Sequence, residues 1–241
     1  MLALVNTPNG PGPVELREVP EPAPAANEAV VEVRAFSLNR GELRLMQVRP
    51  EGWRPGQDIG GVVLRQAADG SGPKAGARVV ALTDNGGWAQ RVAAPTHRLA
   101  ELPENVGFEE AAALPVAGLT ALRTLRYGAP LLGKRVLVTG AAGGVGHMAV
   151  QIAARSGAHV TAVVGSPERG RHVRGADVVV AGIDQAAGRF ALDLALLASL
   201  VGEGSLKLAL VESSWRDLAR IGPELRDRRI AGKAVFQVAR G

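Results

Sequence analysis

A run of glycines near the middle of the chain separates an apolar strand pattern from a helical one. Val136–Val138 reads as a short buried strand, and Val145–Arg155 reads as an amphipathic helix. A helix that follows a strand through a glycine turn presents free backbone amides at its N-terminus, where they can bind phosphate. This order of elements predicts a site for the pyrophosphate of a dinucleotide. The predicted contacts are Gly140, Ala141, Gly143, Gly144, Val145 and Gly146.

The glycines of this run have different expected tasks. Gly143 stands where the backbone approaches a phosphate, and Gly146 stands where the helix packs on the strand. Ala141 occupies the first glycine position of the G-x-G-x-x-G pattern, so the motif departs from the strict fingerprint. We expect the preceding Gly140 to supply the tight turn instead. A glycine-rich turn without a ligand is the alternative that this motif leaves open.

The residues after the second strand of this unit indicate which dinucleotide it binds. Val160–Val164 is the second apolar run, and an acid at its end would bind the ribose hydroxyls of NAD. The chain instead continues with Gly165 and Ser166 and then reaches Arg169, while Glu168 lies off-position. A hydroxyl, loop amides and an arginine suit a 2′-phosphate. The sequence therefore predicts NADP(H), although a solvated helix face is an alternative for the arginine.

Composition argues against several other kinds of site. The 241 residues include no cysteine and four scattered histidines, so no metal site is expected. The formal net charge of +5 is dispersed along the chain and only 3% of the residues are aromatic, so nucleic acid is not the expected partner. No segment approaches the ~20 apolar residues of a membrane span, and the N-terminus lacks a signal-peptide pattern. We expect a cytoplasmic protein.

The elements that would position these residues form an α/β pattern in two parts. The first third contains short strands between proline and glycine clusters, as in a barrel or sandwich. Glu109–Tyr127 is rich in alanine and leucine, and Pro115 is expected to break it into two helices. From Arg135 onward, strands and helices alternate as in a βαβ unit. The predicted strands are Leu2–Asn6, Val14–Val19, Ala29–Phe36, Gly61–Gln66, Arg78–Leu82, Trp88–Val92, Val136–Val138, Val160–Val164, Val178–Val180, Leu206–Val211 and Lys233–Val238.

With these elements in place, the chain resembles the medium-chain dehydrogenase/reductase family, and within it the zinc-independent, quinone oxidoreductase-like members. Agreement in order over most of the first 180 residues is more specific than any single glycine motif. The matching stretches are FSLNRGEL at Phe36–Leu43, PGQDIGGVV at Pro55–Val63, GARVVAL at Gly76–Leu82, GGWAQRVAAP at Gly86–Pro95, AAALPVAGLTA at Ala111–Ala121, the nucleotide stretch Val136–Ser166 and GKAVF at Gly232–Phe236.

The resemblance implies a fold and an activity. It implies a GroES-like β-barrel over residues 1–117, completed by 205–241, and a Rossmann-type NADP-binding domain over 118–204. Zinc-dependent relatives have a Gly-His-Glu run where this chain has Gly56-Gln57-Asp58, which agrees with a metal-free site. The implied activity is NADPH-dependent hydride transfer to a small molecule, either a quinone or an α,β-unsaturated carbonyl (enone or enal). A homodimer is left open.

The resemblance also assigns roles to individual residues. Asn39 matches an asparagine near the nicotinamide, with a catalytic and a cofactor-binding role, and a turn-forming asparagine is its alternative. Thr120 matches a cofactor-binding threonine of the P-x-x-G-x-T-A segment, with a helix cap as its alternative. Tyr127, the only tyrosine, is a catalytic proton-donor candidate, although a core or interface position is more usual. Lys233 is a cofactor-binding candidate or a surface lysine. A substrate-side role is considered for Arg40 and Glu42.

The Rossmann-type domain is apparently shortened. After Val178–Val180 only a short stretch remains before the returning segment, whereas each βαβ step takes about 30 residues. The pattern indicates a deletion near residue 190, within Gly188–Leu192. Two explanations stay open: the molecule has a further segment at this junction, or the domain is a βαβαβ half. We favour the first, because a true deletion exposes apolar sheet faces. The second makes a non-catalytic NADP(H)-binding protein the alternative function.

Overall fold

The computed structural model describes residues 1–181, 201–203, 210–214 and 233–237, together with residues 220, 224 and 229. The chain divides into two compact units, Met1–Gly182 and Ile183–Gly241. The described helices include none with the length and apolar character that a membrane crossing requires.

Five antiparallel strands form the main sheet of the first unit. Apolar residues alternate along them, and the buried side chains of Val31, Ile59, Val79 and Val92 form one hydrophobic cluster. The strands are β3 (Glu28–Phe36), β4 (Asp58–Arg65), β5 (Arg78–Leu82), β6 (Arg91–Pro95) and β7 (Leu99–Glu101), in the order β6-β3-β4-β5-β7. An antiparallel pair, β1 (Leu2–Asn6) and β2 (Val14–Glu18), precedes them.

The boundaries of two strands differ from the sequence prediction. Strand β4 begins at Asp58, three residues before the predicted start at Gly61, and includes Gly60. A Cβ on Gly60 would lie 2.6 Å from the carbonyl oxygen of Phe108, so glycine here permits close packing. Strand β6 begins at Arg91 rather than at Trp88. The Trp88 indole lies before the strand and points inward, and its Nε1 donates to a loop carbonyl.

Three helices accompany this sheet: α1 (Arg40–Val48), α2 (Phe108–Ala112) and α3 (Pro115–Tyr127). The predicted break at Pro115 is confirmed, since this proline is the first residue of α3. Helix α1 was not among the predicted elements. It begins after Asn39, whose backbone N–H donates to Glu42 Oε2 at 2.7 Å, the side-chain half of a capping box.

A second sheet in the same unit is wholly parallel. It contains β8 (Arg135–Thr139), β9 (His159–Val164) and β10 (Val178–Ala181) in the order β10-β9-β8, with α4 (Gly144–Arg155) between the first two strands and α5 (Pro167–Gly170) after the second. The predicted βαβ unit is confirmed. Val150 of α4 packs with Val160 and Ala162 of β9 in a buried cluster. This strand order is that of the first half of a Rossmann sheet.

The second unit contains one described pair of strands. Strand β11 (Leu210–Ser214) pairs in parallel with β12 (Lys233–Gln237), close to the predicted Lys233–Val238. The predicted deletion near residue 190 and the domain boundary at 204 lie outside the described residues. The completion of the barrel by residues 205–241 stays a prediction.

Candidate functional site

The glycine loop lies between β8 and α4 and is held by its own backbone. Gly140 has a φ of +62°, a left-handed conformation that glycine adopts without cost, so it makes the predicted turn. The N–H of Gly143 donates to the carbonyl of Gly140 at 2.8 Å. The left-handed conformation of Gly140 and this hydrogen bond fix the direction in which the chain enters α4.

Gly146 packs against the start of the loop. A Cβ at this position would overlap the carbonyl oxygen of Gly140 and would lie 2.8 Å from the Cα of Ala141. No side chain fits this space, which confirms the predicted packing role of Gly146. Ala141 has a packing role as well, because its methyl group is buried and its N–H donates to Val163 of β9. The amide of Ala141 is therefore not available to a phosphate.

The N-terminus of α4 offers unpaired amides. The N-cap is Gly143, and in the described part of the chain no side chain caps the first turn. Gly144, Val145 and Gly146 are the first three helical residues, whose N–H groups have no acceptor within an α-helix. Gly144 and Val145 are exposed. The helix dipole adds a partial positive charge at the same end, so the loop is suited to an anionic group.

A second set of polar groups follows β9 at the same edge of the parallel sheet. Residues Thr139 and Val163 are paired in register, so the loops after β8 and β9 are neighbours. A Cβ on Gly165 would lie 3.9 Å from a terminal nitrogen of Arg169, which brings the guanidinium over this loop. Ser166 is the N-cap of α5. The loop therefore combines a hydroxyl with a cationic fork.

One carboxylate lies beside this loop. Hydrogen bonds from its own backbone amide and from the Ser166 hydroxyl lower the pKa of Glu168, so it is ionised at neutral pH. Glu168 is off-position for an acid that binds the ribose hydroxyls of NAD, and its carboxylate interacts with Ser166. A phosphate bound here would have to take the Ser166 hydroxyl from Glu168.

A buried aspartate organises the region around Asn39. Asp58 is fully buried at the start of β4 and accepts three hydrogen bonds. Its Oδ2 accepts from Ser37 Oγ and from Asn39 Nδ2, both at 2.8 Å, and its Oδ1 accepts from the backbone N–H of Val116 at 3.0 Å. One side chain thus fixes the amide of Asn39 and the first turn of α3.

Thr120 is connected to the same aspartate. It lies one turn after Val116 on α3, and its hydroxyl donates to the Val116 carbonyl at 2.6 Å. It is an interior helical residue, so the helix-cap alternative is wrong. The structure therefore brings Asn39 and Thr120 into one hydrogen-bonded chain through Asp58 and Val116.

Glu42 is a structural residue rather than a substrate contact. It is fully buried, and its carboxylate accepts from the backbone N–H of Asn39 at 2.7 Å and of Gln57 at 3.0 Å. Burial raises the pKa of Glu42, and the charge of Asp58 adds to this, against the lowering effect of the two backbone donors. The considered substrate-side role of Glu42 is therefore wrong.

Two other predicted residues lie away from these groups. Tyr127 is the last residue of α3 and is 94% exposed, so it lies neither in the core nor in a shielded proton-donor site. Its predicted catalytic role has no support from its surroundings. Lys233 begins β12 in the second unit, opposite Leu210. Its cofactor-binding role stays a prediction.

Sequence reasoning missed Asp58 as an organising residue. The signal for α1 was present, because Asn39 followed by Glu42 three residues later is a capping-box pattern. The bond from Val116 spans 58 residues and cannot be read from local sequence. In the described part of the chain, histidine, aspartate and glutamate side chains form no group of three that could hold a metal ion.

Comparisons with known proteins agree with this geometry. No family model matches the chain. The chloroplast envelope quinone oxidoreductase homolog of Arabidopsis thaliana is 40% identical over 173 residues, which cover 65% of this chain and 53% of that protein. The chain spans about half the length of the curated relatives it matches.

Solved structures extend the similarity to nearly the whole chain. The quinone oxidoreductase of Thermus thermophilus, solved alone and with NADPH, is 31% identical with a TM-score of 0.65, over 98% of this chain and 73% of that one. The quinone oxidoreductase of Escherichia coli complexed with NADPH is 25% identical with a TM-score of 0.70, over 92% of this chain and 68% of that one.

Proposed function

We propose that this chain, which belongs to the quinone oxidoreductase-like branch of the medium-chain dehydrogenase/reductase family, is an NADPH-dependent oxidoreductase acting on a quinone or an α,β-unsaturated carbonyl. The observation that carries the proposal is the uncapped N-terminus of α4, beside the hydroxyl and guanidinium that follow β9. Two similar structures were solved with NADPH, which supports the choice of cofactor.

The loop residues fit such a cofactor by their chemistry. The amides of Gly144, Val145 and Gly146 would hold the pyrophosphate, and the N–H of Gly143 is already paired with the Gly140 carbonyl. Gly165, Ser166 and Arg169 would hold the 2′-phosphate that distinguishes NADPH from NADH. Asn39 and Thr120 would lie on the nicotinamide side, and Lys233 is a further candidate. When bound, NADPH supplies a hydride to the substrate.

The protein's own residues orient the reacting groups. The buried Asp58 carboxylate holds the Asn39 amide in one orientation, because Nδ2 can donate to it only in that rotamer. The same carboxylate fixes α3, which carries Thr120, so the two side chains cannot move independently. Positioning of this kind is the main contribution that a protein without an acid-base group at its site can make.

The surface before Asn39 suits an apolar substrate. Phe36 stacks on Trp88 with ring centroids 5.4 Å apart, and it remains partly exposed. Leu38, next to Asn39, is 58% exposed. Aromatic and aliphatic side chains beside a few fixed polar groups are typical of small-molecule sites, and they favour a quinone ring or an enone over a polar substrate.

Turnover tests the proposal directly. The protein is mixed with NADPH or NADH and a panel of quinones, enones and enals, and loss of absorbance from the reduced cofactor is followed. We expect oxidation of NADPH with at least one quinone or enone and little oxidation of NADH. Inertness with every acceptor, at cofactor concentrations that saturate binding, would reject the catalytic proposal.

A second candidate is a non-catalytic NADP(H)-binding protein. It is favoured by one observation, that the described parallel sheet β10-β9-β8 has the strand order of one Rossmann half. It predicts NADPH binding without turnover, so the same panel combined with a binding titration separates the two candidates. A metal-free site, a dimer and a cytoplasmic location stay predictions, and chromatography with light scattering measures the oligomeric state.

A further inference from the structure

A large cavity borders α3 and α4. Its volume is about 1140 Å³, and it lies between β5, the segment up to β7, α3 and α4. Leu114, Gly118 and Leu122 line it at helical spacing, so they share one face of α3. Thr120 points to the opposite face, because two residues correspond to about 200° of helical rotation. Of the described residues that line the cavity, none is Asn39, Asp58 or Thr120.

The walls of this cavity are mainly aliphatic. Leu82 and Leu99 come from the antiparallel sheet, Leu119 and Leu122 from α3, and Ile152 from α4. These five side chains are only half-buried, so they leave apolar surface in contact with water. Covering that surface with a hydrocarbon chain is favourable by about 25 cal/mol for each Å² removed from water.

Among the described residues, one arginine of the cavity wall has no carboxylate partner. Arg98 forms an ion pair with Asp84 at 2.5 Å, and the Glu110 carboxylate accepts the Gly107 N–H at 3.0 Å. Arg123, at the far end of the α3 wall, has no carboxylate partner among the residues that the structure describes. An arginine at one end of an aliphatic wall fits an anion attached to a hydrocarbon chain.

We propose that this cavity binds an aliphatic monocarboxylate, with its carboxylate on Arg123 and its alkyl chain along the leucine wall. From Leu114 to Arg123 the wall extends about 13 Å along the helix axis. This length accommodates an alkyl chain of medium length. The inference does not rest on the proposed enzymatic function, because no residue of the cofactor site is needed for it.

Calorimetric titration of the full chain with hexanoate, octanoate and decanoate, below their micelle concentrations, tests the proposal. We expect saturable binding to one site, tighter by about fourfold for each added methylene. Saturating NADPH should leave the affinity unchanged. Absence of saturable binding, affinity that does not depend on chain length, or displacement by NADPH would each overturn the proposal, and the last would place the carboxylate in the cofactor site.

Two arginine variants separate the charge from the apolar wall. Arg123→Gln should weaken decanoate binding by about tenfold or more, because a charge-assisted hydrogen bond is lost. Its matched control is Arg126→Gln, an exposed arginine of the same helix outside the cavity, which should bind as the wild type does. Octanol should bind equally to wild type and both variants. Equal weakening of decanoate binding by the two substitutions would contradict the proposed contact.

Discussion

The substitution Gly146→Ala tests the glycine loop at its tightest contact. In a helix, alanine is favoured over glycine by about 0.5–1 kcal/mol. Here, however, the added methyl group would overlap the Gly140 carbonyl and lie 2.8 Å from the Cα of Ala141. Both neighbours are backbone, so the loop must move, and overpacking of this kind costs about 1–3 kcal/mol. The net expectation is a modest loss of stability.

The effect on NADPH affinity should be larger than the loss of stability suggests. Movement of Gly140 displaces the turn that directs Gly143 and the first amides of α4. Loss of one hydrogen bond from an amide to a charged phosphate costs about 1.5–3 kcal/mol, which weakens binding about tenfold to a hundredfold. Fluorescence titration with NADPH and urea unfolding measure the two effects in the same preparation.

A matched control separates affinity from stability. Gly133 has a φ of +72° in the turn before β8, with open space where a Cβ would lie. Gly133→Ala should therefore cost about 1–2 kcal/mol through backbone strain alone, with NADPH affinity unchanged. The reasoning is refuted if Gly146→Ala binds NADPH as tightly as the wild type, or if both variants lose the same affinity.

Three further predictions concern the groups around the loop and the buried carboxyls. Arg169→Gln should weaken NADPH binding about tenfold, because one charge-assisted bond is lost, while NADH binding stays unchanged. Glu168→Gln should tighten NADPH binding, because it removes a negative charge beside Ser166, and calorimetry with both cofactors checks the pair. Asp58→Asn replaces a carboxylate that accepts three hydrogen bonds with an amide, one end of which is a donor. The substitution should lower the free energy of unfolding by about 1–3 kcal/mol and reduce kcat more than it changes the KM for NADPH. A kcat equal to that of the wild type would argue against a positioning role. The pKa of Glu42 is raised in the folded state, so the folded state binds this proton more tightly than the unfolded state does. The free energy of unfolding should therefore fall as pH rises from 4.5 to the folded pKa of Glu42, and above that pH the effect of Glu42 should be constant. In urea unfolding, this pH dependence should be absent from Glu42→Gln.

The strand and helix pattern could be predicted where periodicity and breakers agree. The βαβ unit is the best example, because the Val136 and Val160 runs flank one amphipathic helix that ends at Arg155, just before Gly157. Pro115 also acted as expected, since its missing N–H is tolerated only in a first helical turn. Local sequence carried enough information in both cases because the deciding contacts are themselves local.

Other features depended on contacts between distant residues. The strand predicted to begin at Gly61 begins three residues earlier, at Asp58, and neighbouring backbone approaches Gly60 and Gly61 closely. Asp58 could be recognised only as part of a motif, since its three donors come from the loop before α1 and from the start of α3. The placement of Glu168 beside Ser166 likewise required the folded loop.

Amide chemical shifts on NADPH addition test the central claim most directly. If the N-terminus of α4 holds the pyrophosphate, the ¹H–¹⁵N resonances of Gly143 to Gly146 should move most, together with those of Gly165 and Ser166, and NADH should leave the second group nearly unchanged. Saturating NADPH with no shift at Gly143 to Gly146, or with shifts confined to another part of the chain, would contradict the account.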